Sequence, residues 1–358
     1  MIFDDVLKII NGRNQKAVEN PNGKYPIYGS GGIMGRADDY ICNAETVVIG
    51  RKGNINKPIF VEEPFWNVDT AFGLEANKSV LLPKYLFYFC VHYDFEKHNK
   101  TVTIPSLTKA DLLKIKIDLP SLGEQQDIVK KLQQIETIIF KRKQELDILD
   151  ELIKARFVEL FGDMILNPNG WEQSSLGKVC DVRDGTHDSP KYYMEGYPLV
   201  TSKNVTSGKI DFSDCSLICE DDYEKINQRS KVDYGDILMP MIGTVGNPVI
   251  VDVEPKFAIK NVALIKFYED SSVLNTFVKG LLESDYFDRA VISKVRGGTQ
   301  KFIALGNIRE LQISIPPMNI QLDYQYFVQQ VDKSKSVVKK SLDETQLLFD
   351  SLMQKYFG

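Results

Sequence analysis

Asp236, Glu254 and Lys256 are the residues of this chain whose types and spacing come closest to hydrolytic chemistry. An acid followed, after a β-rich run, by a second acid and a lysine can hold a divalent ion and activate water against a phosphodiester. Pro255 lies between Glu254 and Lys256, at a strand end that would have to direct both of these side chains toward one ion. The related segment 63–65 lacks the lysine. A stand-alone, metal-dependent nuclease therefore stays open only as an alternative interpretation.

Other sequence signatures of catalysis are missing. The chain has no Walker-type phosphate-binding loop and no Asn-Pro-Pro-aromatic or Asp-Pro-Pro-aromatic tetrapeptide of an amino-methyltransferase, and its glycine run at 29–32 is typical of a turn. Its five cysteines form no closely spaced pair, and only three histidines accompany them, which disfavours a zinc site. We predict that the chain has no catalytic residue, cofactor or metal of its own.

A second kind of chemistry, the recognition of DNA, fits several polar loops. Arginine and lysine suit guanine and phosphate, whereas asparagine and glutamine suit adenine. The loops occur at matching places in the two halves of the chain, and this coincidence carries more weight than any one of them. The candidate DNA-binding residues are Arg13, Asn14, Gln15, Lys16, Ser30, Arg51, Lys52, Asn54, Thr186, His187, Lys191, Ser202, Lys203, Asn204, Thr244, Arg296, Thr299, Gln300 and Lys301.

The charge of the chain must be read locally, because a formal net charge of −5 argues mildly against nucleic acid. Residues 8–18, 51–57 and 289–301 each carry at least three basic side chains and no acid. Such basic loops on an acidic body are compatible with a phosphate backbone. The length of 358 residues suits two domains. Without an apolar run of membrane length or a signal peptide, we expect a cytoplasmic protein with no membrane partner.

The segments that must position these loops occur twice in the sequence. Ile115 and Leu311, 196 positions apart, open a match that ends at Gly162 and Gly358, also 196 apart, without insertion or deletion. A segment that tolerates no length change is expected to be a rigid spacer. Two similar modules on a spacer suit a target with two parts.

Two long helices are the firmest structural prediction. No proline lies between Pro120 and Pro168 or after Pro317, and apolar residues follow a 4-3 alternation in both segments. We expect the two apolar seams to bury each other in an antiparallel pair, with polar seam residues such as Arg156 and Lys335 setting the register. The alternative is two amphipathic helices, each packed on its own domain.

The chain thus divides into four segments: a module over 1–120, a helix over 121–163, a second module over 164–317 and a helix over 318–358. Landmarks repeat in the modules with looser spacing, and the second module holds about 18 additional residues near 205–235. We predict strands over 46–49, 58–61, 236–239, 249–253 and 263–267, and helices over 84–92 and 273–284.

The phrase Leu119-Pro120-Ser121-Leu122-Gly123-Glu124-Gln125, which enters a long helix and recurs in looser form at 315–321, resembles the specificity subunit of type I restriction-modification systems. The openings of both modules resemble that family as well, and the resemblance covers essentially the whole chain. It implies an α+β fold in which two tandem mixed α/β target-recognition domains are joined by two long helices that form an antiparallel coiled coil.

The resemblance also implies a function. Each module would recognise one half of a bipartite, asymmetric double-stranded DNA site, and the helices would set the gap and dock two methyltransferase (modification) subunits. Restriction subunits would join this core, and the S-adenosylmethionine and ATP chemistry would belong to the partners. A coiled-coil adaptor that binds only proteins is a further alternative.

Two departures from the family pattern concern the module edges. The first module begins at Met1 and lacks the equivalent of 171–175, so its opening edge is expected to be incomplete or closed differently. The second helix entry keeps Gln321 but has Ile320 where the first has Glu124, so contacts of that glutamate are not expected to recur.

Overall fold

A computed structural model describes residues 1–99, 104–205, 208–242, 246–292 and 302–358. It contains two compact units, which we call unit 1 (residues 1–144 and 339–358) and unit 2 (residues 145–338). Each unit therefore contains one globular module together with one half of each long helix.

Unit 1 is built on two sheets. The first has the order β1-β7-β4-β5 and is antiparallel throughout, and the second has the order β3-β2-β6, with β2 and β6 parallel. Its elements are α1 (Phe3–Val6), β1 (Leu7–Asn11), β2 (Tyr25–Gly29), β3 (Gly32–Ala37), β4 (Thr46–Gly50), β5 (Ile59–Val61), β6 (Trp66–Asn67), β7 (Ala71–Ala76), α2 (Pro83–His92), α3 (Lys109–Leu112) and the first part of α4 (Leu122–Phe161).

Unit 2 repeats this plan. Its sheets have the orders β13-β12-β15-β9, β11-β10-β14 and β16-β8, and again one parallel pair, β10 with β14, occurs in the three-stranded sheet. Its elements after α4 are β8 (Gln173–Ser175), α5 (Leu176–Val179), β9 (Cys180–Asp184), β10 (Tyr197–Val200), β11 (Ser216–Ile218), α6 (Glu220–Ser230), β12 (Ile237–Pro240), β13 (Val249–Ile250), β14 (Ala258–Ile259), β15 (Val262–Phe267), α7 (Asn275–Leu282), α8 (Asp285–Ala290), α9 (Leu305–Arg309), β16 (Gln312–Ser314) and α10 (Met318–Phe357).

The strand registers show how closely the modules match. The β1–β7 ladder runs from Leu7 opposite Ala76 to Asn11 opposite Phe72. The β9–β15 ladder pairs the equivalent residues over the same five positions. The strands and the two module helices predicted from the sequence are all present within a few residues of their expected ends, with one strand, β13, ending three residues earlier than expected. Helix α6 falls in the additional segment of the second module.

The opening edge of the first module is closed by the first residues of the chain. Ile2 forms a bridge with Lys116, and the N–H of Phe3 donates to the carbonyl oxygen of Ile115 at 2.9 Å. In unit 2 the equivalent contact is made by strand β8 against β16. Ile2 and Lys116 thus take the places of Ser175 and Gln312, and the edge of the first module is closed in the same register by an isolated bridge in place of a three-residue ladder.

The two long helices pack against each other in each unit. In unit 2 the rings of Phe157 and Tyr324 lie 5.5 Å apart, and Lys335 Nζ lies 2.5 Å from Asp150 Oδ1. In unit 1 the early residues of α4, such as Leu132, share a core with late residues of α10, such as Met353. The end of one helix thus meets the start of the other in both units, which confirms the predicted antiparallel coiled coil.

The helices also join the cores of the modules. In unit 2, Phe157 and Phe161 of α4 pack on Phe277 of α7, and Tyr324 of α10 packs on both of these α4 rings. Phe349 and other residues near the end of α10 join the core of unit 1. Each helix half therefore contributes apolar side chains to the core of a module. Among the described residues, no helix combines the length and apolar character that a membrane span requires.

Candidate nucleic-acid interface

In unit 1 the candidate loops converge on one short segment, residues 66–70. The backbone N–H groups of Arg13 and Arg51 each donate to a carbonyl oxygen of this segment at 2.8 Å. The N–H of Val68 in turn donates to the carbonyl oxygen of Tyr28 at 2.9 Å, close to the turn that contains Ser30. Loops far apart in the sequence are thus attached to one place.

A glycine allows the closest of these approaches. A β-carbon at Gly12 would lie 1.7 Å from the carbonyl oxygen of Val68, so a larger residue would push the loop away from the segment. Gly185 stands at the equivalent place of unit 2, where a β-carbon would lie 2.2 Å from the carbonyl oxygen of Ile259. The Asn-Gly and Asp-Gly landmarks of the two modules therefore mark the same backbone crossing.

The candidate side chains of unit 1 are available at the surface. Residues 13, 14, 16, 51, 52 and 54 are exposed, while Gln15 and Ser30 are half-buried. Asn14 Oδ1 accepts a hydrogen bond from the N–H of Lys16 at 2.9 Å, which shapes this loop as a tight turn. The guanidinium of Arg51 lies 5.8 Å from the centre of the Phe72 ring. The cluster therefore presents several basic and amide groups around the 66–70 segment.

Unit 2 attaches its first candidate loop in the same manner. The N–H of Thr186 donates to the carbonyl oxygen of Ile259 at 3.0 Å, and the N–H of Asn261 donates back to Thr186 at 3.2 Å. The backbone N–H of Lys260 donates to the carbonyl oxygen of Val200 at 2.9 Å, as the N–H of Val68 does to the carbonyl oxygen of Tyr28 in unit 1. The loops that the sequence places at matching positions are therefore held by matching backbone hydrogen bonds.

His187 is held by two polar residues. Its Nε2 lies 2.8 Å from Asp184 Oδ2, and its Nδ1 lies 2.7 Å from Asn261 Oδ1. A doubly protonated ring donates to both oxygens, and these hydrogen bonds, with Asn261 contributing most and Asp184 next, raise the pKa of His187. Arg229, which also pairs with Asp184, acts in the opposite direction. The imidazole is thus oriented at the surface by hydrogen bonds that favour its cationic form.

The other candidates of unit 2 differ in exposure. Lys191 is exposed, with its ammonium 5.6 Å from the centre of the Tyr193 ring, and Lys203 is exposed as well. The half-buried hydroxyl of Ser202 donates to the carbonyl oxygen of Asn261 at 3.3 Å. Thr244, Arg296, Thr299, Gln300 and Lys301 lie outside the described residues.

Among the candidates that the structure describes, Asn204 is the one that lies inside the protein. It is buried, its Oδ1 accepts from both the N–H and the hydroxyl of Thr201 at 2.9 Å, and its Nδ2 donates to the carbonyl oxygen of Asp211 at 3.1 Å. Both the oxygen and the nitrogen of its amide thus help to shape this loop. The sequence-based assignment of Asn204 as a DNA contact is therefore corrected to a structural role.

Comparison with known proteins decides the family. The family model described as "Type I restriction modification DNA specificity domain" matches residues 3–148 and 168–345, which is most of the chain and both modules. The chain belongs to this family. As a specificity subunit it serves DNA recognition and is not the catalyst of the system.

Individual relatives agree with the family. The type I restriction enzyme MjaVIII specificity subunit of Methanocaldococcus jannaschii is 23% identical over 85% of this chain and 73% of its own length. The MjaIX specificity subunit of the same organism is 25% identical, over 86% and 74% respectively. The EcoBI specificity subunit of Escherichia coli is 20% identical, over 89% and 74%. The nuclease and adaptor interpretations find no support in these matches.

Two solved structures share the fold. The S subunit of a type I restriction-modification system from M. genitalium has a TM-score of 0.60 at 17% identity and covers 100% of this chain and 95% of its own. A chain from a structural study of complex assembly and conformational transition in a type I restriction-modification system has a TM-score of 0.61 at 18% identity, with coverage of 100% and 96%. Both support the predicted α+β arrangement.

The hydrolytic candidates of this specificity subunit do not form a site. Asp236 is buried and accepts hydrogen bonds from Lys266 Nζ at 2.6 Å and from the N–H of Asp233 at 2.7 Å. Glu254 and Lys256 pair with each other at 2.8 Å on the exposed surface. Within the described parts of the chain, no group of three or more His, Cys, Asp or Glu could hold a metal ion. Asp236 therefore has a structural role in its ion pair with Lys266.

Sequence reasoning missed the residues at the centre of each loop cluster. Asn67 is buried, and its Nδ2 donates to the carbonyl oxygen of Ala71 at 3.1 Å, which fixes the turn of the 66–70 segment. Asn261 adopts a left-handed backbone conformation, with φ of 55°, and orients His187. Asn67 is the last residue of β6 and Asn261 follows β14 by two positions, and an asparagine at the end of a short strand was the available signal in both modules, because asparagine tolerates tight turns.

Proposed function

We propose that this specificity subunit recognises an asymmetric DNA site in two parts, with the module over 1–120 contacting one part and the module over 164–317 the other. One observation carries the proposal. Both units attach their first loop by the same glycine crossing and the same backbone hydrogen bonds, yet they present different side chains there, Arg13 and Asn14 in one and Thr186 and His187 in the other. One scaffold with two sets of contacting residues suits two different half-sites.

In this proposal the basic loops of unit 1 contact phosphates and base edges of the first half-site, and Thr186, His187, Lys191, Ser202 and Lys203 contact the second. The coiled coil sets the gap between them. Phosphate contacts supply most of the affinity and its salt dependence, and the amide, imidazole and guanidinium groups supply the selectivity. The remaining candidates at 244, 296, 299, 300 and 301 extend the second set.

The helices offer surfaces for two modification subunits. Leu152 and Leu348, which are 196 positions apart and thus equivalent in the repeat, are 44% and 51% exposed. Phe140, Ile148 and Leu347 are also exposed on the helices. Exposed apolar side chains at repeat-related positions suit two copies of one partner. Methyl transfer and DNA cleavage then belong to modification and restriction subunits, and the complex acts in the cytoplasm.

Exchange of one module tests the proposal. Residues 10–110 are replaced by the corresponding segment of another family member, the subunit is reconstituted with its modification subunits, and the methylated sequence is mapped on genomic DNA. We expect one half-site to change while the other half-site and the gap stay the same. An unchanged target, or a change in both halves, would overturn the assignment of one half-site to each module. The unaltered subunit in the same complex is the control.

A further inference from the structure

The hairpin formed by β2 and β3 in unit 1 ends in two exposed apolar side chains. Ile33 is 66% exposed and Met34 is 61% exposed. Gly29 pairs with Gly32 across a two-residue turn, so the tip consists of small residues followed directly by these two large ones. Single exposed apolar residues are common, but an adjacent pair at a projecting tip is an unusual use of a surface.

The hairpin contains a β-bulge at this point. Ile27 is opposite Gly35 and Tyr28 is opposite Ile33, so Met34 is the extra residue of β3 and has no partner on β2. A bulge interrupts the alternation of side chains between the two faces and redirects the side chain of the extra residue. Ile33 and Met34 are therefore not forced onto opposite faces as neighbours in a regular strand are.

Met34 lies beside the segment that gathers the basic loops. The position that a β-carbon would take on Gly29 is 2.6 Å from Met34 Sδ and 3.2 Å from Val68 Cγ2. The thioether thus passes over Gly29 next to Val68, which belongs to the 66–70 segment. Because Arg13 and Arg51 are attached to the same segment, the apolar tip and the basic loops adjoin one part of the module.

The charges around the tip favour DNA over an apolar partner. The exposed residues Arg13, Lys16, Arg51 and Lys52 belong to the loops attached to this segment. Three acids lie near the hairpin: Glu19, whose Oε1 is 3.7 Å from the β-carbon position of Gly35, Glu63, whose charge raises the pKa of Tyr28, and the exposed Asp69 of the 66–70 segment. Basic groups around an apolar pair match the chemistry of a DNA groove, where phosphates flank base edges. The apolar group that base pairs present in the major groove is the thymine methyl group, and this groove accommodates a two-stranded ribbon.

We propose that Ile33 and Met34 contact base edges in the first half-site and select a thymine through its 5-methyl group. This inference rests on the proposed function, since it needs the first module to contact a half-site. It adds a specificity determinant that the polar candidates do not contain. In unit 2, β11 takes the place of β3 beside β10, but residues 201–215 separate these two strands where a two-residue turn separates β2 from β3, so the contact is proposed for the first half-site.

A double substitution in the reconstituted complex tests the inference. Ile33→Ser with Met34→Ser is expected to lower the affinity for the mapped target about tenfold, in the range of a single mismatched base pair. The slope of affinity against salt concentration should not change, because no charge is removed. The matched control, Ile165→Ser with Leu166→Ser, alters another adjacent exposed apolar pair and should leave both quantities unchanged.

Replacement of each thymine of the first half-site by deoxyuridine identifies the contact. At one position the deoxyuridine should lower the affinity of the unaltered complex about tenfold. At that same position it should cause no further loss of affinity in the variant complex. The inference would be overturned if the mapped half-site contains no thymine or if the variant binds DNA normally. It would also be overturned if the losses of affinity caused by the protein substitution and by deoxyuridine are additive. A variant whose defect is weaker binding of the modification subunit would overturn it as well. If the unaltered complex shows no preference for any half-site, the proposed function fails instead.

Discussion

Gln125 accepts a hydrogen bond from the backbone N–H of Leu82 at 2.8 Å and thereby joins the start of helix α4 to the start of helix α2. Its Nε2 donates to the carbonyl oxygens of Val80 and Pro120. Gln321 makes the same three hydrogen bonds in unit 2, to Leu274, Ser272 and Pro316. Both amides are completely buried, so each long helix is fixed to its module at the point of entry.

Substitution of Gln125 should destabilise unit 1 and leave unit 2 intact. Gln125→Ala leaves buried backbone groups without partners, which we expect to cost about 3 kcal/mol. The two tryptophans, Trp66 and Trp171, lie in different units and report on each separately. In a Trp171→Phe background, urea unfolding followed by Trp66 fluorescence should shift to lower urea. Gln126→Ala, an exposed neighbour, is the control, and an equal shift for both variants would contradict the prediction.

The entry of α4 has a further feature that α10 lacks. Glu124 Oε2 accepts from the N–H of Ser121 at 2.8 Å and from its hydroxyl at 2.7 Å, a reciprocal cap that lowers the pKa of Glu124. Ile320 stands at the equivalent place, as expected from the sequence. The cap is an asymmetry between the two helix entries.

Acid should weaken this cap selectively. Because the folded pKa of Glu124 is below its ordinary value of 4.5, the stabilisation is present above that value and is lost as pH falls through the lowered one. Glu124→Gln should therefore reduce the stability of unit 1 at neutral pH, and the difference from the unaltered protein should shrink on acidification. Unfolding followed by Trp66 from neutral to acid pH measures this. A difference that is constant with pH would contradict it.

The long helices and most strands follow from the sequence because their signals are local. A gapless repeat, the absence of proline and an apolar seam suffice for α4 and α10. The convergence of loops does not follow, because it depends on hydrogen bonds such as that between Arg13 and Asn67, more than 50 positions apart. The aromatic packing of Phe157 on Phe277 is equally non-local.

Individual polar residues are the least predictable part of the site. Asn14 and Asn204 look alike in sequence, each in a polar loop and directly after a basic residue. The first is exposed, whereas the second is buried and hydrogen-bonded through both Oδ1 and Nδ2. Local sequence does not state the direction in which a side chain points. The same limitation concealed Ile33 and Met34, whose exposure depends on a bulge in β3.

Recognition of the second half-site should depend on pH through His187. The ring is paired with Asp184 and Asn261, and its pKa is raised above the ordinary 6.5. The cationic form is complete below that value and is lost as pH rises through the folded pKa, so affinity and the local stability of the loop should both fall with rising pH. His187→Gln should flatten the affinity profile of the second half-site between about pH 6 and 8.5. An identical profile in the variant would remove His187 from the interface.

Binding of modification subunits should depend on Leu152 and Leu348. Leu152→Asp places a charge in a proposed apolar contact and should weaken one of two partner sites at least tenfold. Leu348→Asp should weaken the other, and the double variant should weaken both. The number of modification subunits per specificity subunit, measured by mass photometry, should fall from two to one and then to none. Glu151→Asp, which retains the charge of the exposed neighbour of Leu152, is the control, and unchanged stoichiometry would place the docking surface elsewhere.

The gap of the target should follow the length of the coiled coil. Four residues inserted between Lys143 and Gln144 of α4, and four between Lys339 and Lys340 of α10, keep the repeat in step. They add about 6 Å of helix, close to two base pairs of DNA. Mapping of methylated sites should therefore show unchanged half-sites separated by one or two additional base pairs. The same four residues inserted at Gly208, in a loop of the second module, should leave the gap unaltered. A gap that stays the same after the helix insertions would show that the spacing is set by the modules or by the partner subunits, because the helices would then have lengthened without moving the contacts on DNA.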